Sequence, residues 1–247
     1  MRLLLSPAVV LACASFVHAQ FVEPDSYGWS RGDAHSAWFE WDVFTNPSGG
    51  NLPDVGQFPS PLPGGWATPD VYDTTGLAII TSSGNFYSFV GPIALEVVIP
   101  NYGYAIGATT LILQVRTQGN ELDYGSVNVW GVPPVEHVEL FRQSMGEFGW
   151  LVDSLFRFEL DGNESVYVAS FATAEAHAAI DRIAVDTFAR ADACPADFNG
   201  DTVVNTLDFV AFLNAFVAQD TSADFNGDTV VNTLDFVAFL NAFVAGC

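Results

Sequence analysis

Residues 196–218 read ADFNGDTVVNTLDFVAFLNAFVA, and residues 223–245 read the same, letter for letter, 27 positions on. A repeat of this kind organises the chain around it. Each copy divides into a polar loop and an apolar run. Asp197, Asn199, Asp201, Asn205 and Asp208 occupy positions 1, 3, 5, 9 and 12 of a twelve-residue loop. Asp224, Asn226, Asp228, Asn232 and Asp235 occupy the same positions in the second copy. Calcium is a hard cation that takes roughly six to eight oxygen ligands in a flexible shell. Side chains at positions 1, 3 and 5 face one concavity, and position 7 supplies a backbone carbonyl, here from Val203 and Val230. Position 9 acts through water, and the carboxylate at position 12, where a helix opens, binds bidentately. The spacing therefore predicts one calcium ion per copy. The run TLDFVAFLNAFV after each loop predicts a helix, so each repeat is a loop followed by one helix.

The helical runs carry two apolar stripes. Phe209, Phe212 and Phe216 fall at i, i+3 and i+7, as do Phe236, Phe239 and Phe243. With Val204 and Val231 they form the expected shared core of two antiparallel repeats. Leu207, Val210, Leu213 and Val217 form the second stripe, repeated as Leu234, Val237, Leu240 and Val244. A module this small has little interior left for a second apolar face. That stripe is either a partner surface or the face that packs on the rest of the chain.

Two loop–helix repeats in tandem, followed by a terminal Gly246-Cys247, resemble the dockerin family, and most of all its bacterial GC-type variant. The resemblance covers about residues 193–247. It implies a non-catalytic calcium module that docks onto a cohesin-like or cell-surface receptor. It also implies that the contact runs through loop positions 10 and 11, Thr206-Leu207 and Thr233-Leu234, and the adjoining helix residues Val210, Leu213, Val237 and Leu240. Because the copies are identical, the surface is expected to have pseudo-twofold symmetry and to admit a partner in two orientations. One position departs from the pattern. The sixth loop residue is ordinarily Gly, since the turn there takes a positive φ, and this chain has Thr202 and Thr229. A β-branched residue in that region costs on the order of 1 kcal/mol or more.

The chain begins with Arg2, an apolar run over 3–17 and Val17-His18-Ala19. This predicts a secretory signal peptide over 1–19, cleaved after Ala19, and a secreted, extracellular or cell-surface protein. The run is too short for a membrane span, and no later stretch qualifies. The remainder carries 29 acidic residues against six arginines and no lysine, a formal charge of −23. Phosphate binding needs a basic footprint, so nucleic acid is excluded as an expected partner, and so is an anionic membrane. Cys13 leaves with the leader, and Cys194 and Cys247 then flank the repeat pair. In an oxidising compartment they predict a disulfide clipping the module's ends, contributing about 4 kcal/mol by chain entropy. The alternative is a free terminal thiol at Cys247 used for attachment.

Residues 20–190 are of a different composition, rich in Gly, Pro, aromatic and β-branched residues. Strand character recurs over 37–44, 77–81, 85–90, 94–99, 109–117, 126–130, 135–142, 150–160, 165–171 and 180–187. Turn signals separate these runs, among them Asn46-Pro47-Ser48-Gly49-Gly50 and Asp161-Gly162-Asn163. Many short strands at this spacing predict a mainly β domain, an antiparallel β-sandwich of jelly-roll type. The Pro- and Gly-rich stretch 49–69 reads as a long loop. Phe39, Trp41 and Val43 read as one buried strand face, and so do Leu111, Leu113 and Val115.

No thiol nucleophile, zinc spacing of His35, His137 and His177, G-x-S-x-G elbow or phosphate loop occurs in this unit, so it offers no catalytic motif. Glu40 with Asp42, Glu121 with Asp123, and Glu136 with Glu139 could each be set beside a glycosidic bond, but such pairs arise by chance in so acidic a chain. Arg31-Gly32-Asp33 and Asn163-Glu164-Ser165 match short motifs that chance also explains. Trp38, Tyr72, Tyr102, Tyr104 and Trp130 are candidate stacking platforms for sugars. The expected function is thus a secreted, calcium-dependent docking protein displaying a β-sandwich. The alternatives are a carbohydrate-binding or polysaccharide-degrading component of an extracellular assembly, and a calcium-stabilised structural protein.

Overall fold

The computed structural model describes residues 21–58, 67–102, 104–190, 194–200 and 204–245. The expected signal peptide lies outside them. Among the described residues twelve strands come first: β1 (Ser36–Trp41), β2 (Val55–Gln57), β3 (Asp70–Asp73), β4 (Ile79–Ile80), β5 (Phe86–Tyr87) and β6 (Ala94–Pro100). There follow β7 (Tyr104–Gly119), β8 (Leu122–Val129), β9 (Glu136–Ser144), β10 (Trp150–Asn163), β11 (Val166–Thr173) and β12 (Ala178–Arg190). Two helices close the chain, α1 (Thr206–Ala218) and α2 (Thr233–Ala245).

The strands form two antiparallel sheets. The larger has the order β2-β1-β12-β7-β10-β9, with the short pair β4 and β5 attached through β12. The smaller has the order β3-β6-β11-β8. Alternation along the strands explains the pairing. Leu95, Val97 and Ile99 of β6 and Tyr167, Ala169 and Phe171 of β11 point inward from the smaller sheet. Phe39 and Trp41 of β1, Leu111, Leu113 and Val115 of β7, and Phe156 and Phe158 of β10 meet them from the larger. One apolar core therefore lies between two sheets, which makes the unit a β-sandwich.

Three expectations need correction. Val43 is exposed, because β1 ends at Trp41 and the alternation ends with it. The stretch 49–69 is not all loop: it contains β2, which pairs with β1, and the buried Asn51, which bridges to Val71. Asn51 earns that place by its amide, which accepts the N–H groups of Thr45 and Asn46 and donates to the carbonyl of Val71. The outer face of β7 is also covered, so its even positions are not exposed. Ile112 and Gln114 are both buried. Trp29 packs with Ile112 and Leu155, and the Gln114 amide exchanges two hydrogen bonds, of 2.9 and 2.8 Å, with the backbone of Val22. The segment after residue 20 thus lies along the sheet.

Charges on that covered face are paired. Arg116 makes two hydrogen bonds of 2.6 and 2.8 Å to the buried carboxylate of Asp153. Arg31 binds the buried Asp186 and also Glu40, which is shared with Arg182. Within Arg31-Gly32-Asp33 the arginine is therefore part of the fold, while Gly32 and Asp33 are exposed.

Candidate calcium loops and docking face

Each helix of the repeat starts two residues before its position-12 Asp, not at it, so that this Asp becomes the third helical residue. The reason is a capping box. In the first copy the Leu207 N–H donates to Asn205 Oδ1 at 2.7 Å, and the Asn205 N–H donates to Asp208 Oδ2 at 2.8 Å. The second copy repeats it with Leu234 on Asn232 at 2.7 Å and Asn232 on Asp235 at 2.7 Å. The other carboxylate oxygen of each Asp accepts the N–H of loop position 3, Asn199 or Asn226, at 3.1 Å. Both carboxylates are buried. Burial works to raise the Asp208 carboxyl, but the N–H groups of Asn205 and Asn199 outweigh it and hold it below its ordinary value. Asp235 is held low chiefly by the Asn232 N–H, against burial.

The second loop is folded around its own carboxylates. Asp224 accepts the N–H groups of Asp228 and Thr229 at 3.0 and 2.7 Å. Asn226 Oδ1 accepts the Asp228 N–H at 2.9 Å, and Asp228 Oδ1 accepts that of Val230 at 2.9 Å. Thr229, at position 6, has φ +73°. It takes the left-handed conformation for which Gly is the ordinary choice, with a side chain that resists it. In the first loop Asp201, Thr202 and Val203 lie outside the described residues, while Asp197, Asn199, Asn205 and Asp208 lie within them.

The donor set is all oxygen, from carboxylates, amides and carbonyls, which suits a hard cation and no soft metal. Among the described residues no three His, Cys, Asp or Glu side chains are grouped as a metal shell. The loop carboxylates are taken up by loop N–H groups.

The phenylalanine stripe forms a small core. Phe212 and Phe239 are fully buried, with Ala223 beside them and Phe198, Phe225 and Val231 packed against them. Phe209 meets Phe243 at 6.0 Å and Phe216 meets Phe236 at 5.9 Å. The start of each helix thus faces the end of the other, so the helices run antiparallel. The second stripe faces outward. Leu207 and Leu234 are 60 % and 61 % exposed, and Val210 and Val237 are each 51 % exposed. Thr206 and Thr233 are exposed beside them, and Leu213 and Leu240 are half-buried. Cys194 lies within the described residues and Cys247 outside them.

No family model matches this chain, and no curated protein matches it.

On the sandwich, arginines hold four of the six carboxylates in the three pairs. Glu40 binds Arg31 and Arg182, Glu121 and Glu139 bind Arg142, and Glu136 binds Arg157. Most candidate stacking rings also have partners. Trp38 lies under Arg31, Tyr72 donates to Glu96, and Tyr102 packs on His35. Trp130 is 55 % exposed, and the side chain of Tyr104 lies outside the described residues. Sequence reasoning assigned no role to the exposed Phe89, which falls in the run read as a strand over 85–90, or to Phe148, a lone Phe that carries no periodic signal.

Proposed function

We propose that residues 191–247 form a dockerin-like module that binds two calcium ions and docks the chain, outside the cell, onto a cohesin-like or cell-surface receptor. The observation that carries this reading is the pair of identical outward stripes, Leu207 with Val210 and Leu234 with Val237, beside two loops of oxygen donors. Apolar side chains left exposed at matching positions in both copies suit a partner surface better than a solvated helix face. Position 6 of the second loop supports the calcium reading, since Thr229 holds the left-handed turn that brings positions 1, 3 and 5 around one point. The ligands would be Asp197, Asn199, Asp201, Asn205, Asp208 and the Val203 carbonyl in one loop. Asp224, Asn226, Asp228, Asn232, Asp235 and the Val230 carbonyl would serve in the other. Bound calcium would neutralise the loop carboxylates and fix the angle between loop and helix. Cys194 and Cys247 pair in this reading and close the module.

The displayed unit is read as a jelly roll, on the alternation of consecutive strands between the sheets from β5 to β9 and from β10 to β12. The test is binding of the full chain to immobilised cohesin domains, with calcium and with chelator. Calcium-dependent capture that is lost in Leu207→Asp/Leu234→Asp supports the reading. Capture unchanged by chelator or by these substitutions overturns it.

A further inference from the structure

The sandwich has a cleft of about 610 Å³ at one end of its larger sheet. Four chain segments converge there: the end of β5, the turn after β7, the turn from β9 into β10, and the start of β12. Their backbones are locked together. The His177 N–H donates to the Ser88 carbonyl at 2.8 Å, and its own carbonyl accepts the Asn120 N–H at 3.2 Å. Gly119 has φ +91°, and a Cβ there would meet the His177 carbonyl oxygen at 2.3 Å. Gly149, at φ +90°, would meet the Gly119 carbonyl at 2.4 Å. Glycine is needed at both places for the segments to approach. His177 itself sits at φ +61°, a conformation that a non-glycine residue holds at a cost. Its Nδ1 is 2.7 Å from Tyr87 Oη, which fixes the imidazole over the cleft.

The chemistry of the walls narrows the ligand. Phe148 lines the rim and is 79 % exposed, and Phe89, outside the lining but next to Tyr87 and His177, is 62 % exposed. Phe89 meets Tyr87 edge-on at 4.7 Å. Gln118 and Asn120 bring amides, and Asn120 is held by a 2.7 Å hydrogen bond to the Ala176 carbonyl. Glu147 is the one carboxylate of the lining, and no arginine lines it. A phosphorylated or carboxylated ligand would find no guanidinium in the lining, whereas exposed rings beside amides, a phenol and an imidazole match alternating C–H and O–H groups. The volume falls within the roughly 300–1,000 Å³ of small-ligand sites.

We infer that this cleft binds a neutral polysaccharide, with Phe148 and Phe89 stacking on sugar rings and Tyr87, His177, Gln118 and Asn120 holding hydroxyl groups. The site is built wholly from the sandwich, so it is independent of calcium and of docking. A single lining carboxylate fits retention of a glycan rather than cleavage by a carboxylate pair.

The test is affinity electrophoresis of the full chain in native gels containing mixed-linkage β-glucan, arabinoxylan, galactomannan or the anionic alginate. Retardation by at least one neutral polysaccharide, unchanged by chelator, is expected. Phe89→Ser/Phe148→Ser should weaken it roughly tenfold through the lost ring contacts. Both rings are exposed, so the variant keeps its fold. Tyr87→Phe, which removes only a hydroxyl, should weaken retardation in the same gels. Retardation by none of the polymers, or by alginate alone, overturns the inference. So does retardation that survives both variants unchanged.

Discussion

The ring of Phe212 lies 4.1 Å from that of Phe239, with their planes 5° apart. These residues hold the same position in the two copies of the repeat, 27 residues apart. A residue stacked on its own repeat equivalent marks a pseudo-twofold axis, and the surrounding phenylalanines are arranged about it. The module's core is thus one side-chain pair with a shell.

Such a core tolerates little. Phe212→Ala and Phe239→Ala are each expected to cost about 3–5 kcal/mol, and by symmetry to cost the same. A module of this size has a net stability of only a few kcal/mol. Either substitution should therefore unfold the repeat and leave the sandwich folded. Chemical denaturation followed by far- and near-ultraviolet circular dichroism checks this: the helical signal disappears at zero denaturant, and the sandwich transition is unmoved.

Thr229→Gly should stabilise the second loop. Thr229 holds φ +73° at the position where Gly is unstrained. Relief of about 1 kcal/mol corresponds to roughly a fivefold gain in calcium affinity at that loop. Calorimetry on the variant should show one site tightened and one unchanged.

Acid should melt the repeat. Asp208 and Asp235 have folded-state pKa values below their ordinary values. A depressed folded pKa contributes stability that is present above the unfolded value and lost as pH falls through the folded one. The helical signal of the repeat should hold down to about pH 4 and fall below it. Asp208→Asn/Asp235→Asn should remove most of that dependence, at a cost in stability near neutral pH.

Arg31 is a structural cation. Asp186 is fully buried, and Arg31 reaches it at 2.5 Å. Removing one partner of such a pair strands a buried charge. Arg31→Ala should destabilise the sandwich by about 3 kcal/mol, measured as a shifted urea midpoint. Burial raises the Asp186 carboxyl despite Arg31. A raised folded pKa penalises the ionised form, so the variant's deficit should shrink as the pH is lowered.

Much of this fold was legible in the residues. Ten of the strands overlap the runs read as strands, most of them extending past the runs' ends, and both helices lie where the 3.6-residue period places them. β2 and β3 were not legible, because three or four residues among prolines and glycines show no period, and β3 is tied to the segment after β1 by the amide of Asn51. Nor did the alternation in β7 betray its covered outer face. Ile112 and Gln114 are buried by a segment some 90 residues away in sequence, and pattern within one strand cannot register that. At the loops the ligand spacing was plain, and so was the anomaly at position 6. The helical run TLDFVAFLNAFV begins where the helices begin, at Thr206 and Thr233, and what spacing did not show is that Asn205 and Asn232 serve as caps as well as loop positions. The cleft was invisible, since its walls are four separate segments that only the fold brings together.

The central claim is that the two loops bind calcium. Titration of calcium into the full chain by calorimetry, beside Asp201→Ala, Asp228→Ala and the double variant, tests it most directly. The account predicts two sites in the parent, one in each single variant and none in the double. No heat of binding in the parent, or two sites surviving in the double variant, would contradict it.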